Sequence, residues 1–193
     1  TIKLILDLIH KNKGEIKIFG ENLSDNHDII NDIGVVFDEL NLHEFLTAKD
    51  VDKIFSDVYY NWDSLKFYSL IEKMNIDHTK TIKEYSRGMK MKLALAMALS
   101  HDAKLLLLDE ATSGLDPVVR DEILGMLMEF IQKEDNSVLI SSHILSDLQK
   151  VADYIAFIHE GKMIFMEEKD ALLENFGILY TNSKTADSLN PEG

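Results

Sequence analysis

No cysteine occurs anywhere in the 193 residues. Disulfides and thiolate-held metals are therefore excluded, and the chain suits a reducing compartment. Only two prolines and nine glycines are present, too few for long flexible linkers. No apolar run approaches the ~18–20 residues that cross a bilayer as a helix. Bases are scarce as well: 20 Lys and Arg stand against 34 acids, for a net charge of −14. Duplex binding needs a basic patch to displace counterions. No basic stripe is visible here, so nucleic acid is not an expected partner. The opening stretch TIKLILDLIHKNKG places Asp7 inside its apolar part and offers no small-residue cleavage site, so it does not read as a signal peptide.

What is present suffices for a packed domain. Hydrophobic residues make up 46% and charged residues 28%, which fits one globular unit of ordinary size and excludes a disordered chain.

Periodicity then orders the elements. Ile2, Leu4, Ile5, Leu8 and Ile9 recur at helical spacing. GEIKIFG alternates between Gly14 and Gly20 and reads as a strand, and IGVVFD (Ile33–Asp38) as a strand buried on both faces. The character changes after Thr47. Two amphipathic helices are expected, roughly Thr47–Tyr59 and Asp63–Asn75, with Thr47 and Asp63 as N-caps. A polar link and a helix from about Ser86 to Leu99 complete a helical insert. Alternation then resumes: KLLLLD is a strand. A helix from Pro117 to about Gln132 follows, burying Ile123, Leu124, Leu127 and Ile131. SVLISS is a strand and ILSDLQKV a short helix. YIAFIHEGKMIFME reads as two strands turning at Glu160-Gly161, and KDALLENF as a last helix. The tail from about Tyr180 is polar. This order predicts an α/β fold with a mostly parallel sheet and an inserted helical subdomain. Ligands in such sheets sit beyond the carboxyl ends of the strands.

Chemistry is sought at those ends. Asp109 and Glu110 close the leucine strand, and adjacent strand residues point to opposite faces. One acid is then free to serve magnesium, which prefers hard oxygen ligands, while the other faces a water. Alone, such a pair reads as the surface end of a strand. Its surroundings decide otherwise. ATSGLDP follows at Ala111–Pro117, YSRGMKMKLALAMALS precedes at Tyr85–Ser100, and SSHILSDL comes after at Ser141–Leu148. In that order these pieces resemble the nucleotide-binding domain of ABC-type ATPases, over nearly the whole chain.

The resemblance implies a role for each piece. LLLLDE looks like the Walker B strand, with Asp109 toward magnesium and Glu110 as the catalytic base. SGLD looks like the D-loop, bringing Ser113 and Asp116 into play. YSRGM is similar to the family signature, usually LSGGQ, and implies that Ser86, Arg87 and Gly88 meet a phosphate held by a second copy. The residue reading agrees, since a helix N-terminus offers free N–H groups and a favourable dipole to an anion. Arg87 departs from the pattern by replacing a glycine and adds positive charge there. SSH supplies the switch residue His143. IGVVFDELNLHEFLT falls at the Q-loop, where Asp38 stands in place of glutamine as a second metal candidate.

The family also implies a P-loop NTPase-like (RecA-like) core over residues 1–45 and 102–176, a helical subdomain over 46–101, and a polar tail over 177–193. Its cofactors are ATP and Mg2+. Its partners are an integral-membrane permease and a second copy in a head-to-tail dimer. The expected place is cytoplasmic, peripheral on the inner face of the membrane, in a transporter of the exporter kind. The compact insert separates it from chromosome- and repair-type relatives. A non-catalytic remnant and a ribosome-associated ATPase are the alternative readings.

One motif is absent. G-x-x-x-x-G-K-[ST], the phosphate loop, occurs nowhere in the sequence. The sole Gly-Lys pair, Gly161-Lys162, lies in the expected hairpin turn and is followed by Met163. Thr1 is expected to fall just past that loop, at the start of the helix it leads into. These 193 residues by themselves are therefore expected to bind ATP poorly or not at all. Calorimetry showing a submicromolar affinity for this stretch would contradict that expectation.

Overall fold

The structure, a computed structural model, describes residues 1–175. Its contacts divide into two units, residues 1–147 and 148–193, which are treated separately.

The first unit opens with a helix shorter than the periodicity suggests. α1 covers only Ile2–Ile5. Leu8 N–H donates to the Lys3 carbonyl at 2.9 Å and Asp7 N–H to the Leu4 carbonyl at 3.2 Å. Asp7 takes φ 53°. This is a Schellman closure with Asp in the position usually held by Gly, and it leaves Leu8 and Ile9 exposed. The expected strand between Gly14 and Gly20 is instead half of a tight hairpin. β1 (Lys17–Ile18) pairs antiparallel with β2 (Glu21–Asn22). Phe19 and Gly20 both have positive φ, 52° and 84°, as a two-residue hairpin turn requires.

β3 (Ile33–Val36) is followed by α2 (Ala48–Val58), α3 (Ser64–Lys73) and α4 (Arg87–Leu99). Thr47 and Asp50 form a capping box on α2, and Asp63 caps α3 through Lys66 N–H. These helices share a core containing Val51, Phe67, Ile71, Ile82, Leu93 and Ala96. Trp62 packs against it, and its Nε1–H donates to Asp52 Oδ1 at 2.8 Å. Phe55 and Trp62 thus belong to this core, whereas Phe45 and Tyr60 are 67% and 83% exposed.

β4 (Leu105–Asp109), α5 (Pro117–Phe130) and β5 (Ser137–Ser141) complete the sheet. The strand order is β3-β4-β5, all parallel. β4 is central, which explains its leucine run: a strand covered on both faces has no use for polar alternation. Leu107 meets Ile2, Ile18 and Ile29 on one face, while Leu106 and Gly34 face α4. A Cβ built on Gly34 would lie 2.6 Å from the Ala98 carbonyl and 2.6 Å from Leu106 Cδ2. Only glycine lets α4 approach β3 this closely. In α5, Ile123, Leu124 and Leu127 are buried as expected; Ile131, at the helix end, is half-buried.

His101, just past α4, is 2% exposed. Its Nδ1 lies 3.1 Å from the Asn31 carbonyl, and its ring stacks on Tyr59 at 4.3 Å. The carbonyl accepts, so Nδ1 carries the proton. Burial pushes the ring's pKa below its usual value, against a smaller opposing effect of the Asn31 carbonyl. A depressed histidine pKa means the unfolded chain binds the extra proton first. Its contribution is full above the unfolded value near 6.5 and is lost as pH falls through the lower folded value. Urea midpoints measured from pH 7.5 to 5 are expected to fall less steeply for His101→Asn, which keeps an N–H for Asn31 but cannot titrate. An unchanged slope would exclude this residue as a contributor.

α6 (Leu145–Val151) begins in the first unit, and the division falls after Asp147. In the second unit, β6 (Tyr154–His159) and β7 (Lys162–Glu168) pair antiparallel around Glu160-Gly161, followed by α7 (Lys169–Asn175). The expected turn is present, with φ of 48° and 73° at its two residues. The polar tail lies outside the described residues.

Candidate functional site

The parallel register brings three strand ends to one edge. Val36, Leu108 and Ile140 are level, and Asp109 is level with Ser141. Ser141 Oγ–H donates to Asp109 Oδ1 at 2.6 Å. One step on, Glu110 leaves the strand with φ 53°. Its N–H is held by the Ser141 carbonyl at 3.1 Å and by Ser141 Oγ at 3.2 Å. The left-handed backbone turns the Glu110 carboxylate away from Asp109 and onto His143, with Oε2 at 2.5 Å from Nδ1. Such a conformation costs a non-glycine residue about 1 kcal/mol or more, and the Ser141 contacts offset it. Sequence reasoning passed over Ser141. The clue was available, because the parallel partner of β4 must place some residue level with its terminal aspartate.

The turn after Glu110 is tightly folded. Ser113 N–H donates to the Glu110 carbonyl at 3.0 Å. Gly114 takes φ 67°, where a side chain is strained. Asp116 Oδ1 accepts from Val118 and Val119 N–H, both at 3.1 Å, and so caps α5 with Pro117 in its first turn.

Ser86 is the N-cap of α4, its Oγ accepting from Met89 N–H at 3.2 Å. The hydroxyl hydrogen stays free to donate, and the first helical N–H groups, on Arg87 and Gly88, face outward from the helix end. The start of α4 packs on the α5 side of the fold. A Cβ on Gly88 would touch the Val119 side chain at 3.2 Å. A Cβ on Gly114 would lie 3.1 Å from Arg87 Nη1. Within its own chain the Arg87 guanidinium therefore rests on Gly114, which joins the signature-like and D-loop-like segments.

Asp38 is exposed in the segment after β3. It shares the carboxyl edge with Asp109 and Glu110, and it makes no hydrogen bond or ion pair among the described residues. The arrangement thus brings Asp109, Glu110 and His143 together with Ser141. Ser86, Arg87 and Gly88 are grouped with Gly114 and Val119, and Asp38 stands apart.

Comparison with known proteins gives the family. The family model described as "ABC transporter" matches residues 1–113. The lantibiotic transport ATP-binding protein SrtF of Streptococcus pyogenes is 36% identical over 183 residues, covering 94% of this chain and 78% of that protein. The bacitracin transport ATP-binding protein BcrA of Bacillus licheniformis is 34% identical over 167 residues, covering 85% of this chain and 55% of that protein. The chain thus spans little more than half the length of the second relative. Among solved structures, the ATP-binding subunit of an ABC transporter superposes with a TM-score of 0.77 at 23% identity, over 90% of this chain and 74% of that one. A dimeric ATP-binding cassette bound to ADP and Pi gives 0.73 at 21% identity, over 86% and 78%. These two likenesses establish the shared P-loop NTPase fold. With a family match over more than half its length and relatives above 30% identity, the chain belongs to the ABC transporter family.

Proposed function

We propose that these residues form most of the ATP-binding and ATP-hydrolysing subunit of an ABC-type membrane transporter, of the exporter kind. The observation that carries this reading is the pairing of Glu110 with His143 beside the Asp109–Ser141 contact, at the carboxyl edge of the parallel sheet. The relatives named for lantibiotic and bacitracin transport support transport as the coupled process.

Each residue takes a role in this reading. The Glu110 carboxylate is the base that takes a proton from the attacking water. His143, whose Nδ1–H donates to it, fixes the carboxylate's direction, and in its doubly protonated form also offers Nε2–H to a phosphate oxygen. The outward N–H groups at the start of α4 and the Ser86 hydroxyl receive phosphate oxygens presented by a second copy in a head-to-tail dimer. Asp116 shapes the turn that passes between the copies. Magnesium fits the donor set, because Asp109 offers hard carboxylate oxygen and keeps one oxygen free of Ser141. When bound with ATP it would neutralise phosphate charge; Asp38 is the second oxygen donor proposed for it.

Among the described residues no helix is long and apolar enough to cross a membrane. The membrane step is assigned to a separate integral permease, and this subunit to the cytoplasmic face beside it. The test is ATP turnover by the complete polypeptide. Turnover should need magnesium, stop on chelation, and rise more steeply than linearly with protein concentration in the dimerising range. A complete polypeptide that turns over no ATP, with its permease present, would overturn the proposal.

A further inference from the structure

The Glu110–His143 contact closes a ring of ties that runs through two other elements. From Glu110 the chain folds back, with Ser113 N–H on the Glu110 carbonyl and Leu115 N–H on the Thr112 carbonyl at 3.4 Å. The Leu115 carbonyl accepts from Arg120 Nη2 at 3.2 Å. Arg120 Nε lies 4.0 Å from Asp147 Oδ2, at the start of α6. Asp147 N–H in turn donates to the carbonyl of Ile144, the residue after His143, at 3.1 Å.

The middle of this ring is electrostatically unusual. Asp147 is 1% exposed. Arg120 Nε and Asp147 Oδ2 are both shut off from solvent, and neither has a hydrogen-bond partner. Burying the Asp147 carboxylate against a guanidinium edge without a close hydrogen bond is unfavourable, and apolar residues of similar size would be at least as stable there. Stability alone does not account for the pair. Its location does suggest a use, since Arg120 is the group that reaches both the 113–116 turn and the helix following His143.

We propose that Arg120 is a positioning residue for the Glu110–His143 pair, tying the Leu115 carbonyl to α6 through Asp147. The turn after Glu110 and the start of α6 then keep one register. The planar guanidinium suits this task, because Nη2 donates to the Leu115 carbonyl while its rigid Nε edge lies against the Asp147 carboxylate as a charge contact. The proposal rests on the reading of Glu110 and His143 as the hydrolytic pair, and it adds a residue that touches neither of them.

Arg120→Lys and the double variant Arg120→Met/Asp147→Leu, made in the complete polypeptide, test it. Three quantities are read: the urea midpoint, the imidazole NMR resonances of His143 at fixed pH, and kcat and KM for ATP. Lysine keeps the charge but not the fork. Arg120→Lys is expected to lower kcat about ten- to a hundredfold, with KM within about twofold, and to shift the His143 resonances. The double variant removes the buried carboxylate together with the partly exposed guanidinium against it, so its urea midpoint should match or exceed the parent value. Its kcat should stay low and its His143 resonances displaced. A double variant that regains kcat and the parent resonances would show the pair to be merely structural and overturn the proposal. So would Arg120→Lys with parental kcat and resonances. Displaced His143 resonances in a polypeptide that hydrolyses no ATP would support the coupling while removing the hydrolytic reading.

Discussion

Glu110→Gln is expected to lower ATP turnover by the complete polypeptide about 10²–10³-fold, with ATP affinity within about threefold of the parent. The substitution is isosteric. It keeps the side chain's length and its ability to hydrogen-bond His143, and it leaves the backbone ties from Ser141 untouched. What it removes is the charge and the capacity to accept a proton. If Glu110 is the base, the loss falls on the chemical step and appears in kcat, since the side chain meets His143 and not Asp109, the proposed magnesium ligand. Nucleotide binding measured separately by calorimetry distinguishes a lost base from a lost site. Glu110→Ala is a poorer test, because truncation also frees His143. Turnover retained within tenfold for the Gln variant would assign the base elsewhere.

The central elements were legible because their signals are local. A leucine run bounded by polar residues gives β4, caps at Thr47 and Asp63 and the start at Ser86 begin three helices, and Pro117 marks the first turn of a fourth. The first twenty residues were less so. Asp7 in a left-handed closure carries no glycine to announce the end of α1. The Phe19-Gly20 turn hides inside what looks like one alternating strand. At the site, sequence order pointed to Asp109, Glu110 and His143, whose spacing along the chain is motif-like and which the structure brings to one edge. It missed Ser141 and Arg120, whose roles come from strand register and from a reach between α5 and α6. Arg87 was legible as a departure from the signature, but its seat on Gly114 depends on a contact between distant segments.

The second large effect concerns the scaffold. Phe67→Ala is expected to destabilise the chain by about 4 kcal/mol, lowering the thermal midpoint by roughly 10 °C for a domain of this size. Phe67 is 0% exposed. Its ring lies 5.3 Å from Trp62 and 5.5 Å from Tyr68, tilted against both at 44° and 70°. Deleting it removes the transfer free energy of a whole aromatic side chain and leaves a cavity that rings of this size do not collapse to fill. The effect should reach beyond the helical layer. Leu93, Ala96 and Met97 of α4 share the Phe67 core, while Gly34 of β3 packs directly on Ala98 of the same helix. α4 also carries Ser86, Arg87 and Gly88 at its other end, so one helix ties the motif proposed to meet phosphate to both layers. Loss of the ring is therefore expected to weaken the ordering of the α4 N-terminus at temperatures where the sheet edge is still intact. Hydrogen exchange at Met89 and Lys90, compared with exchange in β4, reads this directly. Equal acceleration in both would mean that the two layers unfold as one unit, and a urea-derived loss under about 1.5 kcal/mol would show that the site repacks.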